Sequence, residues 1–250
     1  METKRTVSDT VAATPAANPS MPSNRFIPFV RPAEQDSLTA RRQVHILNKN
    51  VKDISSVMLH RTGLKDRLFF TSNQVAAATG TTFPSAQVLC SRAVKRGDLI
   101  RLKKDFYVLA QRWEQYGDPE RLVLANFLQT PSYISLMTAL SFRGLSTQVQ
   151  RTWVESMAQR RTVTITAGDV AFLYHKIAPR YYTGFNREDG CFIATAEKAL
   201  LDAAYLESLG RYSLDWDALD LSRLDRGRLL KLLALFPGRI AAGIRRRCGL

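Results

Sequence analysis

The sequence predicts an α+β protein, an N-terminal winged helix-turn-helix domain followed by a mixed α/β domain. Three observations carry this. From Leu47 to Leu109 the pattern runs helix, short helix, turn, amphipathic helix, tight hairpin. Residues 111–210 then mix β-rich runs with helical ones. Finally, charge is segregated along the chain. Lys and Arg number 36 against 22 Asp and Glu, a net charge of +14 over 250 residues. Residues 41–110 hold 13 basic and 4 acidic residues, 111–210 hold 10 of each, 211–250 hold 9 and 4, and 1–40 hold 4 of each. Charge spread evenly for solubility would not divide this way. A positive block lying on a helix-turn-helix pattern points to a polyanion.

Residues 1–40 read as a disordered tail, with five of the ten prolines and a filling of Ala, Ser, Thr and Asn. Phe26-Ile27-Pro28-Phe29-Val30 is apolar enough to dock on something. The DNA-binding domain is placed at 41–110. Ile54, Val57, Met58 and Arg61 repeat at helical spacing within 47–64. Ser72 is read as the N-cap of a short helix, Asn73 to Ala78, ended by Gly80. Pro84 lies near the start of the next helix, about 84–96, where Ala86, Leu89, Cys90, Ala93 and Val94 form one apolar stripe. Leu99–Lys103 and Phe106–Leu109 read as strands joined by Lys104-Asp105, a hairpin turn in which Asp tolerates a positive φ.

The second domain is placed at 111–250. Helices are expected from Pro119 through Leu128, from Ser135 to Phe142, from Ala196 to Leu209 behind a Thr195 cap, and over 222–236 with Ser222 and Asp225 as a capping box. Strands are expected at 153–157, 162–166, 170–174 and 192–194, with Gly168-Asp169 as a turn. Pro237-Gly238 stops the penultimate helix, and 239–250 reads as helical.

Site chemistry follows from the pattern. Thr81, Thr82, Ser85, Gln87, Ser91, Arg92 and Lys95 lie on or beside the polar face of the 84–96 helix, or just before it, where such side chains reach base edges in a major groove. Arg101, Lys103 and Lys104 on the hairpin suit phosphates. Arg223, Arg226, Arg228, Lys231, Arg245, Arg246 and Arg247 form a possible second basic surface. The expected partner is double-stranded operator DNA.

Other classes find little support. Cys90, Cys191 and Cys248 stand far apart with no C-x-x-C, against a disulfide framework or a cysteine zinc site and in favour of a reducing compartment. No apolar run approaches a membrane span and no secretory h-region follows Met1, so a cytoplasmic protein with no membrane partner is expected. His45, His60 and His175 lack metal-ligand spacing, and phosphate-cradling glycine motifs and a nucleophile elbow are missing. No metal, cofactor or catalytic residue is expected. Asp169, Glu197 and Lys198 are the best enzyme-like set, read as a helix-start acid and a surface lysine. The rival readings are a nuclease targeted by a winged helix and a DNA-binding adaptor of a mobile element.

With both halves read, the chain resembles the AbiEi antitoxins of bacterial abortive-infection toxin–antitoxin systems. Phe70-Thr71-Ser72 through Leu89, Val94 through Arg101 and Phe106-Tyr107-Val108-Leu109 are similar to that family's winged helix. Pro131-Ser132-Tyr133-Ile134-Ser135, Ala139-Leu140, Gly144-Leu145, Thr162–Ile165, Gly184-Phe185 and Ile193 through Asp202 are similar to its C-terminal domain. The likeness covers roughly 65–210. The family usually has Gly in the wing turn where this chain has Asp105, and often Pro where this chain has Ala196. The resemblance implies a transcription regulator of phage defence. Its winged helix would repress its own operon, and its C-terminal domain would counter a nucleotidyltransferase-like toxin without necessarily gripping it.

Overall fold

A computed structural model describes residues 63–148 and 150–250. The expectations for the 1–40 tail, for Phe26 to Val30 and for nearly all of the 47–64 helix lie outside the described residues. Within them the protein is α+β, with helices around one six-stranded sheet and a separate two-stranded hairpin.

Helix α1 spans Ser72–Thr79 and α2 spans Phe83–Arg96. The N-cap of α1 is Thr71, one residue before the expected Ser72. Thr71 and Gln74 form a reciprocal capping box, with each backbone N–H donating to the other's side-chain oxygen at 2.9 and 3.4 Å. Ser72 is instead buried, and its N–H donates to Asp105 Oδ1 at 3.0 Å. Gly80 and Gly97 end the two helices at φ +65° and +84°. Strands β1 (Leu99–Lys103) and β2 (Phe106–Leu109) form the expected antiparallel hairpin, with Asp105 at φ +62° in its turn. Phe70 adds one bridge to Tyr107, exchanging 2.9 Å hydrogen bonds in both directions.

The hairpin serves two cores. Leu64, Phe70, Val75, Ala86, Cys90, Ala93 and Leu99 form a small one with Tyr107 and Leu109. Phe106 and Val108, pointing the other way on β2, pack with Leu102 into a much larger core. This is the period-two alternation of a strand with both faces covered.

A short helix, α3 (Ala110–Trp113), leads to α4 (Asp118–Leu128). The sheet is built from β3 (Ser132–Ile134), β4 (Trp153–Ala158), β5 (Val163–Ala167), β6 (Val170–Lys176), β7 (Phe185–Glu188) and β8 (Cys191–Ala194), in the order β5-β6-β4-β3-β8-β7. It is mixed: β4–β6 and β3–β8 are parallel, the other pairs antiparallel. Strand β7 lies outside the strands that the sequence predicts; Phe185 is marked there only through the family resemblance. Asn186 and Arg187 are exposed on this edge strand, so it lacks an apolar alternation.

Helices α5 (Leu136–Phe142), α6 (Ala196–Ser208), α7 (Arg226–Leu233) and α8 (Gly238–Cys248) complete the chain. Thr195 caps α6, accepting from Lys198 N at 3.3 Å. The single helix expected over 222–236 is corrected by the structure. Leu221–Arg223 is a 3₁₀ turn and Leu224 is extended. Asp225, not Ser222, caps α7, accepting from Arg228 N at 2.9 Å. Asp220 holds Ser222 N–H and Oγ–H in the preceding turn, which prevents one continuous helix. Four hydrogen bonds from three side chains help fasten the hairpin region to the sheet region. Lys103 Nζ donates to the carbonyls of Phe127 and Leu128, both at 2.9 Å. Tyr116 Oη–H donates to Leu68 O at 2.6 Å, and Trp113 Nε1–H to Asp169 Oδ1 at 2.9 Å.

Candidate nucleic-acid interface

Helix α2 presents two chemically different faces. Ala86, Cys90 and Ala93 are fully buried against α1 and the hairpin. Burial also pushes the Cys90 thiol above its ordinary value, so it packs as an apolar group. Opposite them, Ser85, Gln87, Ser91, Arg92 and Lys95 are exposed, as are Thr81 and Thr82 before the helix. Thr82 is the N-cap: its hydroxyl shares a 2.9 Å hydrogen bond with Ser85 Oγ. No Asp or Glu occurs from Thr71 to Gly97, so this face carries cations without intervening acids. Of its basic neighbours, Arg96 is occupied by Asp98 at 2.8 Å.

Two exposed apolar side chains, Phe83 and Val88, share this region; Val88 is 49% exposed. Sequence reasoning passed over Val88, although it falls outside the 86-89-90-93-94 stripe and was therefore legible as outward-facing.

On the hairpin, Arg101 and Lys104 are exposed. Lys103 is turned inward, over the Phe106 ring at 4.2 Å and onto the two carbonyls near the end of α4. Burial, and behind it the nearby Arg160, push its ammonium below the ordinary lysine value. The cause is a register irregularity between Arg101 and Lys103, which breaks the simple alternation of β1.

The seven residues of the second basic set are all exposed, but three of them also serve the fold. Arg223 Nη1 donates to Gly144 O, Arg228 approaches Glu197 at 3.5 Å, and Arg247 stacks over Trp216 at 4.3 Å. Arg226, Lys231, Arg245 and Arg246 have no ion-pair partner among the described residues.

The enzyme-like set does not assemble as one site. Asp169 holds Trp113 and lies 3.8 Å from Arg121, while Glu197 is buried and accepts from Asp225 N at 2.9 Å. The expectation that Lys198 is a surface lysine is overturned, since it is completely buried. Its ammonium pairs with the equally buried Asp202 one turn on and donates to Tyr133 Oη at 2.8 Å. Asp202 Oδ2 also accepts from Tyr133 at 2.9 Å and Ser135 at 2.8 Å. Burial pushes Lys198 down and Asp202 up, both toward neutrality, and their mutual attraction opposes this. With every member hydrogen-bonded, the group is a structural pin. Among the described residues, no three His, Cys, Asp or Glu side chains gather as metal ligands, and no helix is long and apolar enough to cross a membrane.

The fold class defined by these elements, an α+β chain with a mixed six-stranded sheet, has a solved counterpart. The chain is similar to the crystal structure of the RV2827C protein from Mycobacterium tuberculosis, with a TM-score of 0.51 over 78% of this chain and 76% of that one. Identity is 12%, so the likeness concerns the fold alone. No family model matches the sequence. No curated protein matches it either.

Proposed function

We propose that this chain is a winged helix-turn-helix repressor of the antitoxin kind, acting in the cytoplasm on the operator of its own operon. The observation that carries the reading is the face of α2. Thr81, Thr82, Ser85, Gln87, Ser91, Arg92 and Lys95 are exposed without an intervening acid, beside a hairpin offering Arg101 and Lys104. Helices α1 and α2 meet through a short turn and share one small core, as the two helices of such a motif must. In this reading α2 lies in the major groove. Arg92 and Gln87 read base edges, Val88 meets a thymine methyl, and Arg101 and Lys104 hold phosphates. The second function, countering a nucleotidyltransferase-like toxin through the sheet domain, rests on the sequence resemblance to AbiEi antitoxins. No catalytic residue, metal or cofactor enters it.

The test is binding of the full chain to duplex DNA from upstream of its own gene, titrated with salt. Five or six phosphate contacts give a log–log slope of roughly −5. A flat salt response, or equal affinity for upstream and unrelated duplexes, overturns the repressor reading. Co-expression with a neighbouring toxin gene tests the second function. An α2 variant blind to DNA should still protect cells, and its failure to do so would join protection to DNA binding.

A further inference from the structure

We propose that the aromatic cleft beside edge strand β7 binds a segment of single-stranded nucleic acid, one or two of its bases stacking in the cleft and its phosphates meeting Arg187. The cleft encloses about 450 Å³ and is lined by Phe127, Ser132, Tyr182, Phe185, Arg187 and Phe192, among others. That is the size of a small-molecule site. Phe127 and Phe192 are 46% and 44% exposed and line the same cleft, so together they form an exposed aromatic patch. Behind them the rings are fixed. Phe185 stacks on the buried Tyr133 at 4.4 Å, Tyr182 stands edge-on to Phe185 at 4.9 Å, and Phe192 is edge-on to Phe185 at 6.0 Å. On the other wall Phe127 leans on Phe69 at 5.1 Å. Such a platform holds its rings still without a ligand, so little rotamer freedom is lost on binding.

Two further observations select the occupant. Ser132 is 4% exposed, lines the cleft, and its Oγ has no hydrogen-bond partner among the described residues. An unsatisfied buried hydroxyl costs on the order of 1–3 kcal/mol, and a base edge supplies the missing partner. The rim carries one free cation: Arg187 is exposed and outside the ion pairs of the described residues. Of the nearby acids, Glu188 is neutralised by Arg143 at 2.7 Å, leaving Asp189 in the β7–β8 turn. Aromatic walls, a polar floor and a cation at the rim are what an unpaired nucleotide requires. A duplex keeps its bases stacked internally and cannot offer them. The site is separate from the polar face of α2 and does not rest on the repressor reading.

The experiment measures binding of the full chain to a fluorescent oligothymidylate of roughly ten nucleotides and to an abasic strand of equal length, at raised salt to suppress non-specific contacts. Both strands carry the same phosphates, so their difference isolates the bases. The base-bearing strand should bind about tenfold tighter or more, given ~1–3 kcal/mol per stacked base. Phe192→Ala should erase that preference, Phe192→Tyr should retain it, and Arg187→Ala should weaken both strands alike. Operator duplex binding should be unchanged in Phe192→Ala, whereas Arg92→Ala should spare the strand preference. Equal binding of the two strands overturns the proposal and leaves the cleft to an apolar peptide. A preference that survives Phe192→Ala overturns it too. So does a thymidine mononucleotide that binds as tightly as the strand.

Discussion

The helix pair and the sheet region carry charge in opposite directions. In α1 and α2 the cations Arg92 and Lys95 point to solvent above a small core made only of apolar groups and a buried serine. In the sheet region Lys198, Asp202, Glu197 and Glu155 are all buried. An outward cation stabilises little and is free for a partner. A buried one must be satisfied by the fold or it destabilises. Substitutions in the first region should therefore change binding and leave stability alone, and those in the second should do the reverse.

The largest effect should come from Asp202→Leu. It leaves the Lys198 ammonium buried without its counter-ion, and breaking such a pair costs about 3–5 kcal/mol. Urea unfolding measures it, and the double variant Lys198→Met/Asp202→Leu should recover the part due to the unpaired ammonium, while the buried Tyr133 and Ser135 hydroxyls stay without their acceptor. A single-variant cost below about 1 kcal/mol would mean the sheet region tolerates unpaired charge as the surface does.

Next is Glu155. Burial raises its carboxyl from 4.5 to about 7, although Met137 N–H at 3.0 Å and Tyr212 Oη–H at 3.2 Å donate to it and pull the other way. Its folded value lies above its unfolded one, so its contribution is present below pH 4.5 and lost as pH rises through 7. The full span is roughly 3 kcal/mol at 1.36 kcal/mol per unit. Wild type should thus lose stability relative to Glu155→Gln between mildly acidic and mildly alkaline pH. A constant difference across that range would place Glu155 among the ordinary surface acids.

Smaller, and of the opposite kind, is Arg92→Ala. It should cost about 1–3 kcal/mol on cognate duplex and relax preference at one base position, with the melting temperature unchanged. An equal loss on random duplex would move the reading face elsewhere on α2. Lys104→Ala should have the least effect, weakening all duplexes nearly alike and reducing the salt slope by about 0.9. Thermal destabilisation by either variant would blur the contrast between the two regions.

What the sequence could and could not disclose follows the same division. The α2 stripe, its opposite polar face and the Lys104-Asp105 turn are local patterns and were legible. Lys103 was not, because alternation assumes a regular strand and the irregularity after Arg101 turns the side chain inward. Lys198 and Asp202 look like a surface i,i+4 pair. Yet Ala199, Leu200, Leu201, Ala203, Ala204 and Leu206 make α6 apolar nearly all round, the mark of a buried helix. That signal was present, and its consequence for the two charges was missed. The cleft beside β7 joins residues some sixty positions apart, a juxtaposition that no local pattern encodes.

The hairpin has a consequence for how this architecture can be rearranged. Phe106 and Val108 belong to one core and Tyr107 and Leu109 to the other, so a single strand is shared by both. A crossover at residue 110, where the composition changes, would cut through shared furniture: the donor would keep a groove shaped for Leu102 and Val108, and the recipient would gain a hairpin with one bare apolar side. Exchange of the α1-α2-hairpin unit between proteins of this build should therefore succeed only when matching residues on β5 and α4 travel with it, and a changed surface should arise by substitution on the open face of α2 more readily than by swapping whole modules.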